Sequence, residues 1–267
     1  MVWTAFWNSP SSYDMVERAG DAFTVVIPTL NEASRIADVV RESFAGGAAE
    51  VLVINGASTD ATAEHATTAG AIVYPAAELF NGQPSLGKGD SLWRAVPLVK
   101  TPVTVFLDGD LQIDGPDFLT RLIAPLDDPD VVFSKARFRR TVTDGNPSKP
   151  GRVTNLVARP MLRLLYPNLA DLVEPLSGQI ATATSTINAI EFETDYGLEI
   201  GMLIDVYERY GREAIAHPDC GELGHLSQTD QNLEAMAEQV QRAVLQRTGR
   251  FEGFRAVRRP AWNANAV

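Results

Sequence analysis

Residues 103–110 read Val103-Thr104-Val105-Phe106-Leu107-Asp108-Gly109-Asp110, an apolar run that stops on two carboxylates. Its β-branched and aromatic residues are typical of a buried parallel strand. The glycine between the aspartates lets another group approach the backbone closely. Two like charges at the end of a buried strand repel each other unless a cation or donors compensate. The pair therefore indicates a site for a metal-bound diphosphate, with a turn of two solvated aspartates as the alternative.

The composition of the 267-residue chain limits the kinds of partner and compartment that can be expected for the protein. The formal net charge is −11 and the sequence has no block of Lys or Arg, which argues against nucleic acid or an anionic membrane as a main partner. The single cysteine, Cys220, excludes an internal disulfide framework and fits a reducing compartment. No apolar run approaches about eighteen residues and the N-terminus lacks a signal-peptide pattern, so a soluble, cytoplasmic protein is expected.

Strand-like and helix-like runs alternate from Phe23 to Leu107, which predicts an α/β fold with a mostly parallel sheet flanked by helices. Three apolar strands end in polar loops, at Pro28–Glu32, Asn55–Asp60 and Asp108–Asp110. Open parallel sheets bind ligands at the carboxyl ends of their strands. We therefore expect the three loops to form one binding edge, although N-capping alone would also explain Ser58-Thr59-Asp60.

The stretch from Arg139 to Arg152 is rich in Gly and Pro and predicts a long mobile loop. It divides the chain into a donor-binding lobe over residues 1–138, a smaller acceptor-binding and metal-completing lobe over 139–250 and a flexible tail over 251–267. In the second lobe, periodicity predicts helices and short strands. The helices are expected over about 153–165, 198–210 and 230–248, and the strands near 179–184 and 214–217.

The segment Gly82–Gly89 nearly spells a P-loop, which would predict a nucleoside triphosphatase. Gly89 stands where a magnesium-binding hydroxyl is needed, however, and Pro84 removes a backbone donor from the phosphate cradle. What remains is a helix that begins at Gly87-Lys88-Gly89 with a cation in its first turn. This arrangement suits a diphosphate, although a solvated lysine is the alternative.

A transferase that uses a nucleotide sugar must neutralise the diphosphate as it leaves, which a divalent metal and Lys88 would do. Asp110, and secondarily Asp108, are the candidate metal ligands. His225 lies far downstream in a glycine-rich stretch. A lone loop histidine is more often solvated than metal-bound, unless the fold brings it to the aspartates.

Four segments together, PTLNEA, INGASTD, GKGDSLWRA and VFLDGDL, resemble in order and spacing the GT-A fold nucleotide-diphospho-sugar glycosyltransferases. In the second half, GRVTNLVARPMLRLLYPNL, EPLSGQIAT, DYGLEIGMLIDVYERYG and the late histidine are similar to the retaining glucosyl-3-phosphoglycerate synthases. The resemblance extends over about Phe23 to Thr248. It implies a GT-A fold, a Mg or Mn cofactor, a nucleotide-diphosphate sugar donor, a small anionic acceptor and a homodimer.

The resemblance also assigns roles to matching positions. Lys88, Asp110 and Glu199 are implied to be catalytic, with Glu199 orienting the sugar hydroxyls. The implied donor-binding residues are Pro28, Leu30, Asn31, Glu32, Asn55, Ser58, Lys88, Asp108, Gly109, Leu176, Tyr196 and Glu199. The implied acceptor-binding residues are Gly151, Arg152 and Thr154, and the implied metal ligands are Asp110 and His225. A helix-surface residue is the alternative reading of Glu199.

Two departures from the family pattern limit what the resemblance implies. Asn55 and Gly56 replace an acidic residue and a serine, and Asn offers both a donor and an acceptor, so the base of the donor stays open. Leu223-Gly224-His225-Leu226-Ser227 replaces Arg-Glu-His-Arg-Asn. The loss of two cations and an amide favours an acceptor with less negative charge than a phosphorylated acid.

The leading hypothesis is a metal-dependent, retaining glycosyltransferase that moves a hexose, in the first place glucose from UDP-glucose, to a small hydroxy acid such as 3-phosphoglycerate. The same chemistry with GDP-mannose or GDP-glucose on a specialised acceptor is the alternative within the fold. A sugar-phosphate nucleotidyltransferase would need a Gly-rich, Arg-containing loop after the first strand, which Pro28-Thr29-Leu30-Asn31-Glu32 is not. A non-catalytic nucleotide-sugar binding protein is the last alternative.

Overall fold

The computed structural model describes residues 22–113, 117–142, 151–225, 230–249 and 257–263. Side chains are described at all of these positions except 113, 140–142, 225, 230 and 231. Most of the loop predicted between Arg139 and Arg152 lies outside the described residues, and so do the predicted tail residues 251–256 and 264–267.

The described residues form strands and helices that alternate through the first half of the chain, as the sequence predicts. The strands are β1 Phe23–Thr29, β2 Glu50–Asn55, β3 Ile72–Pro75, β4 Val103–Phe106, β5 Gln112–Ile113, β6 Phe133–Lys135, β7 Arg137–Val142, β8 Ile180–Ala183, β9 Phe192–Glu193, β10 Ile215–Ala216, β11 Asp219–His225 and β12 Arg258–Arg259. The helices are α1 Ile36–Ala45, α2 Thr62–Thr68, α3 Lys88–Ala95, α4 Phe118–Ile123, α5 Arg159–Leu165, α6 Thr184–Asn188, α7 Leu198–Tyr210 and α8 Asp230–Arg247.

A mixed, mostly parallel sheet forms the centre of the described fold. Its strand order is β10-β6-β8-β4-β1-β2-β3, and β8 runs antiparallel to both of its neighbours. A three-stranded sheet of order β5-β11-β7 and a two-stranded pair of β12 with β9 complete the described strands. Strands β8 and β10 come from the second half of the chain, so the central sheet continues across the predicted boundary after residue 138.

The sheet is covered by helices on both faces because alternate strand residues point to opposite sides. Val25 and Ile27 pack with helices α1 and α4, and Val26 packs with helices α3 and α7. The strands that are buried on both faces have the near-continuous apolar sequence that parallel strands require. The sequence-predicted α/β architecture is therefore confirmed.

The strand register brings the three polar loops to one edge. Thr29 pairs with Asn55 at the carboxyl ends of β1 and β2, and Val26 pairs with Phe106 at the end of β4. The loops that follow these strands are consequently neighbours, as expected for an open parallel sheet. The chain divides at Ala136 into β6 and β7, which belong to different sheets.

Helix α7 has the predicted bounds, and helix α8 ends one residue before its predicted end. The helix predicted from Val153 contains a π-helical turn over Thr154–Ala158 and is regularly α-helical from Arg159. Pro160 supplies no backbone N–H, which accounts for the irregular hydrogen bonding at this junction. No helix among the described residues is both long and apolar enough to cross a membrane.

Part of the predicted flexible tail is anchored instead. Within residues 257–263, Trp262 stacks on Trp93 of helix α3 with ring centroids 4.4 Å apart. Arg259 Nε donates to the buried Asp90 carboxylate over 2.7 Å. Sequence-based reasoning missed this because neither a two-residue strand nor a single ring stack leaves a periodic pattern.

Candidate active site

A cavity of about 580 Å³ opens at the carboxyl edge of the central sheet. It is lined by residues from β1, β4, helix α3, the π-helical turn and the segments that precede β8 and α7. Most of the predicted site residues line this one cavity. They are Pro28, Leu30, Glu32, Lys88, Asp108, Gly109, Asp110, Gly151, Arg152, Thr154, Leu176, Tyr196 and Glu199.

Lys88 lies between two carboxylates at the centre of the cavity. Its Nζ atom is 2.5 Å from Oδ1 of Asp108 and 2.5 Å from Oε1 of Glu199. Burial alone would lower the pKa of Lys88, but the two carboxylates reverse that effect and raise it above its usual value. Lys88 is therefore a fixed cation in the cavity, and Glu199 is not a helix-surface residue.

Glycines allow helix α3 to begin this close to β9. A Cβ atom on Gly89 would lie 1.9 Å from the carbonyl oxygen of Glu193. Gly87 has φ +154°, and a Cβ atom there would lie 2.5 Å from the carbonyl oxygen of Thr194. The glycine that breaks the P-loop pattern at position 89 thus has a packing reason, because a Ser or Thr side chain would not fit.

The two aspartates of the opening motif have different environments. Asp108 Oδ2 accepts a hydrogen bond of 2.7 Å from Gln179 Nε2, and Oδ1 pairs with Lys88. Asp110 makes no ion pair with another described side chain, and burial followed by repulsion from Asp108 raises its pKa. Asp108 is thus held by protein donors, whereas Asp110 still needs a positive partner.

Glu32 adds a third carboxyl group to this part of the cavity. Burial, and then the charges of Asp110 and Asp108, raise its pKa to about 8. Carboxyl groups whose pKa is raised by one another are destabilised as anions and gain from a nearby cation. The oxygen ligands present at Asp110 therefore suit a hard divalent cation such as Mg²⁺ or Mn²⁺.

The predicted second ligand, His225, is described only in its backbone. It is the last residue of β11, and the preceding residue, Gly224, pairs with Gln112. Gln112 follows Asp110 by two positions, so the backbone brings the end of β11 towards the aspartate loop. No group of three or more His, Cys, Asp or Glu side chains suited to a metal occurs among the described side chains, so the role of His225 stays a prediction.

Three predicted nucleoside contacts, Asn31, Asn55 and Ser58, do not line the cavity. They instead join the loops after β1 and β2. Asn31 N donates to Ser58 Oγ over 2.9 Å, and Ser58 N donates to Asn55 Oδ1 over 3.0 Å. The second bond occupies the amide oxygen of Asn55, which leaves its N–H₂ group as the donor available to a ligand. Their contact with a base stays a prediction.

The predicted acceptor residues also line the cavity. Gly151 has φ +71°, a conformation that favours glycine, and its carbonyl oxygen accepts from Asn155 N over 2.9 Å. Arg152 and Thr154 follow at the start of the π-helical turn, and all three line the cavity. A cation beside backbone N–H groups at a helix start is a suitable arrangement for an anionic group.

Several cavity residues were not predicted from the sequence. Ser177, Gly178 and Gln179 immediately precede β8 and line the cavity beside Lys88 and Asp108. A Cβ atom on Gly178 would lie 2.7 Å from Lys88 Nζ, so this position brings backbone against the cation. The antiparallel direction of β8 places the residues before it at the binding edge, and that direction has no signal in the sequence of the strand itself. Leu233, Met236 and Gln239 of helix α8 are further lining residues that were not predicted.

Comparison with known proteins identifies the family. Residues 24–186 match the model described as "Glycosyl transferase family 2". The glucosyl-3-phosphoglycerate synthase of Mycolicibacterium smegmatis is 36% identical over 256 residues, which cover 91% of this chain and 84% of that protein. The chain belongs to glycosyl transferase family 2. It is a glycosyltransferase similar to the glucosyl-3-phosphoglycerate synthases, as the sequence resemblance implied.

Solved structures of family members agree with the fold. A glucosyl-3-phosphoglycerate synthase from Mycobacterium tuberculosis, in complex with Mn²⁺, UDP-glucose and phosphoglyceric acid, aligns with a TM-score of 0.81 at 31% identity and covers 92% of each chain. A mannosyl-3-phosphoglycerate synthase from Rubrobacter xylanophilus aligns with a TM-score of 0.84 at 30% identity, covering 92% of this chain and 90% of that one. The GT-A fold inferred from the sequence is confirmed.

Proposed function

We propose that the protein is a divalent-metal-dependent, retaining glucosyltransferase that moves glucose from UDP-glucose to a small hydroxy acid such as 3-phosphoglycerate. The observation that carries this proposal is the Asp108–Lys88–Glu199 cluster at the centre of the cavity, with a fixed cation between carboxylates from β4 and helix α7. The relative of known structure that was solved with UDP-glucose and phosphoglyceric acid supports the choice of substrates.

In this proposal the donor spans the cavity from the sheet edge to helix α7. The nucleoside lies against the loop after β1, with contacts from Pro28, Leu30 and Glu32 and with Asn55 and Ser58 near the base. The diphosphate lies over the start of helix α3, where Lys88 and free backbone N–H groups meet it. The sugar lies against the segments before β8 and around the start of α7. Its proposed contacts are Asp108, Gly109, Leu176, Tyr196 and Glu199.

The metal is proposed to lie at the aspartate loop. Asp110 and His225 would hold it, while Asp108 stays with Lys88 and Gln179. A divalent cation there would neutralise the diphosphate as negative charge develops on the leaving oxygen. The raised pKa of Asp110 supports this assignment, because no described side chain forms an ion pair with it, whereas Asp108 pairs with Lys88.

The transfer step itself needs no separate base. The bond between the anomeric carbon and the phosphate oxygen breaks, and its electron pair leaves with the diphosphate. The acceptor hydroxyl forms the new bond on the same face of the sugar, and its proton passes to the leaving phosphate oxygen. Lys88 stabilises the departing charge, and Glu199, which is bound to Lys88, orients the sugar hydroxyls instead of taking the proton.

The acceptor is proposed to bind beside Gly151, Arg152 and Thr154, with its carboxylate or phosphate against the arginine. Transfer assays with UDP-glucose, Mn²⁺ and a panel of acceptors test the proposal directly. We expect 3-phosphoglycerate or a less charged hydroxy acid, such as glycerate, to be glucosylated. No turnover and no binding of any nucleotide sugar would contradict it.

A second candidate differs only in donor and acceptor. The structural similarity to a mannosyl-3-phosphoglycerate synthase favours a GDP-linked sugar as the alternative donor. Comparison of UDP, GDP and ADP in thermal-shift assays separates the two candidates, since the cognate nucleotide should stabilise the folded state most. We expect the active protein to be a homodimer in the cytoplasm; gel filtration with light scattering tests the first point.

A further inference from the structure

Lys135, the last residue of strand β6, carries a buried amino group that the proposed reaction does not use. Its side chain is 0% exposed, and it does not line the cavity. Among the described residues it makes no ion pair with a carboxylate. A fully buried lysine without such a partner is rare, because burial disfavours the charged form. Its presence therefore calls for a role that an apolar side chain could not fill.

The amino group of Lys135 connects the backbones of two segments that line the cavity. Nζ donates to the carbonyl oxygen of Ser177 over 2.5 Å and lies 3.5 Å from the carbonyl oxygen of Glu199. Ser177 belongs to the segment before β8, and Glu199 lies in the first turn of α7. Both segments carry residues that line the proposed sugar position. Lys135 therefore links the backbones of these two segments.

These contacts close a ring around the proposed sugar position. Ser177 Oγ donates to Gln179 Oε1 over 3.0 Å, and Gln179 Nε2 donates to Asp108 Oδ2 over 2.7 Å. Asp108 then pairs with Lys88, and Lys88 with Glu199, whose backbone returns to Lys135. Each member of the ring fixes the next. Loss of one link should therefore be felt at the sugar, although Lys135 itself touches no substrate.

His217 also contacts Lys135 and the segment that precedes Ser177. Its Nδ1 atom lies 2.7 Å from the carbonyl oxygen of Lys135, and its Nε2 atom accepts from Val173 N and Glu174 N over 3.2 and 3.3 Å. The segment that leads to Ser177 is thus held at both ends. Burial lowers the pKa of Lys135 to about 7, and the charged groups that act on it are Glu199, Lys88, Asp108 and Glu174, three of which belong to the ring.

We propose that Lys135 is a positioning residue for the sugar subsite, which holds the segment before β8 and the first turn of α7 in fixed register around the sugar. This inference rests on the proposed function, because it concerns the sugar of a nucleotide-sugar donor. It assigns a role in sugar placement to a residue that contacts neither donor nor acceptor.

The test compares the variants Lys135→Met and Thr182→Val with the wild type. Methionine keeps the length of the side chain but removes the donors. Thr182 is equally buried on the neighbouring strand β8 and donates to Val132 O over 2.8 Å, remote from the ring, so its loss reports a purely structural effect. Calorimetry measures binding of the nucleoside diphosphate alone, and kinetics measure kcat and KM with the nucleotide sugar that the wild type turns over.

For Lys135→Met we expect kcat to fall on the order of tenfold to a hundredfold, since small displacements of reacting groups have effects of that size. Affinity for the diphosphate should stay within about threefold of the wild type, because Lys88 keeps its own ion pairs with Asp108 and Glu199 when Lys135 is replaced. Thr182→Val should lower the midpoint of thermal unfolding. It should not lower kcat while leaving diphosphate affinity unchanged.

Unchanged kcat in Lys135→Met, or an equal loss of diphosphate affinity and turnover, would overturn the inference. If Lys135→Met does not fold, Lys135→Gln is measured by the same criteria, since the glutamine amide ends one bond short of the lysine nitrogen and cannot take over both of its contacts. Failure of the wild type to turn over any nucleotide sugar would instead contradict the proposed function, so the two failures are distinguishable.

Discussion

Lys88 Nζ lies 2.5 Å from Glu199 Oε1, although 111 positions separate the two residues in the chain. This ion pair joins the first residue of helix α3 to the first turn of helix α7, and so connects the proposed diphosphate position to the proposed sugar position. Both side chains are held by rigid elements, which is the arrangement that preorganised electrostatic catalysis requires.

Replacement of Lys88 tests this connection. Lys88→Met should lower kcat/KM by about a hundredfold to a thousandfold, because it removes a fixed cation from the departing diphosphate. Steady-state kinetics with the cognate nucleotide sugar measure the effect. The matched control is Lys100→Met, since Lys100 is exposed and bonds only to the carbonyl oxygen of Pro97. Equal activity of the two variants would show that Lys88 does not act on the diphosphate.

The glycine at position 89 should tolerate no larger side chain. Gly89→Ala would place a Cβ atom 1.9 Å from the Glu193 carbonyl oxygen, which forces the backbone apart. We expect a loss of about 3 kcal/mol or more in the free energy of unfolding, measured by urea titration. Gly82→Asn is the control, because Gly82 has φ +75° and nothing within 4 Å, and Asn tolerates that conformation. A neutral Gly89→Ala would refute the packing argument.

The anchored C-terminal residues should stabilise helix α3. Arg259→Met leaves the Asp90 carboxylate, which is 0% exposed, with one arginine partner fewer, and should lower the free energy of unfolding by about 2 kcal/mol. The control is Arg41→Met, which breaks an exposed pair with Asp38 and should change stability by less than about 1 kcal/mol. Similar losses in both variants would mean that the buried pair adds nothing beyond a surface pair.

Acid should weaken the fold through His217. Burial lowers the pKa of His217 to about 4 from its ordinary value of 6.5, so the folded protein holds it neutral. Between those values the unfolded state binds more protons, and stability falls as the pH drops. We expect this residue to contribute up to about 3 kcal/mol of the decline.

The variant His217→Gln isolates that contribution. Urea unfolding of both proteins at several pH values from 7.5 to about 4 should give a shallower decline for the variant, because glutamine does not titrate. Its stability at neutral pH should be lower than that of the wild type, since the bonds to the Val173 and Glu174 backbone are disturbed. Parallel declines would assign the acid sensitivity to carboxylates elsewhere.

The parts of the fold that could be predicted from the sequence are those with a periodic pattern of apolar residues. Alternating strands and helices gave the parallel sheet, and the polar ends of β1, β2 and β4 gave the binding edge. The bounds of helix α7 were predicted because its long apolar pattern is bounded by Gly197 and Gly211. The family resemblance then supplied Glu199, which no local pattern connects to Lys88.

The remainder depended on contacts between distant segments. The antiparallel direction of β8, which brings Ser177 and Gln179 to the cavity, is set by packing between β4 and β6 and has no signal in its own sequence. Nothing in the local sequence distinguishes Lys135 from an ordinary strand residue, because its contacts are with distant segments. The anchoring of Trp262 on Trp93 likewise depends on a pairing of residues 169 positions apart.

The most direct test of the account measures transfer of glucose from UDP-glucose to 3-phosphoglycerate and to glycerate, with Mn²⁺, by NMR detection of the product. The account predicts a product with the α configuration of the donor, no turnover after removal of the metal by chelation, and loss of turnover in Asp110→Asn with the fold intact. Undiminished transfer without a divalent metal, or a product of inverted configuration, would contradict it.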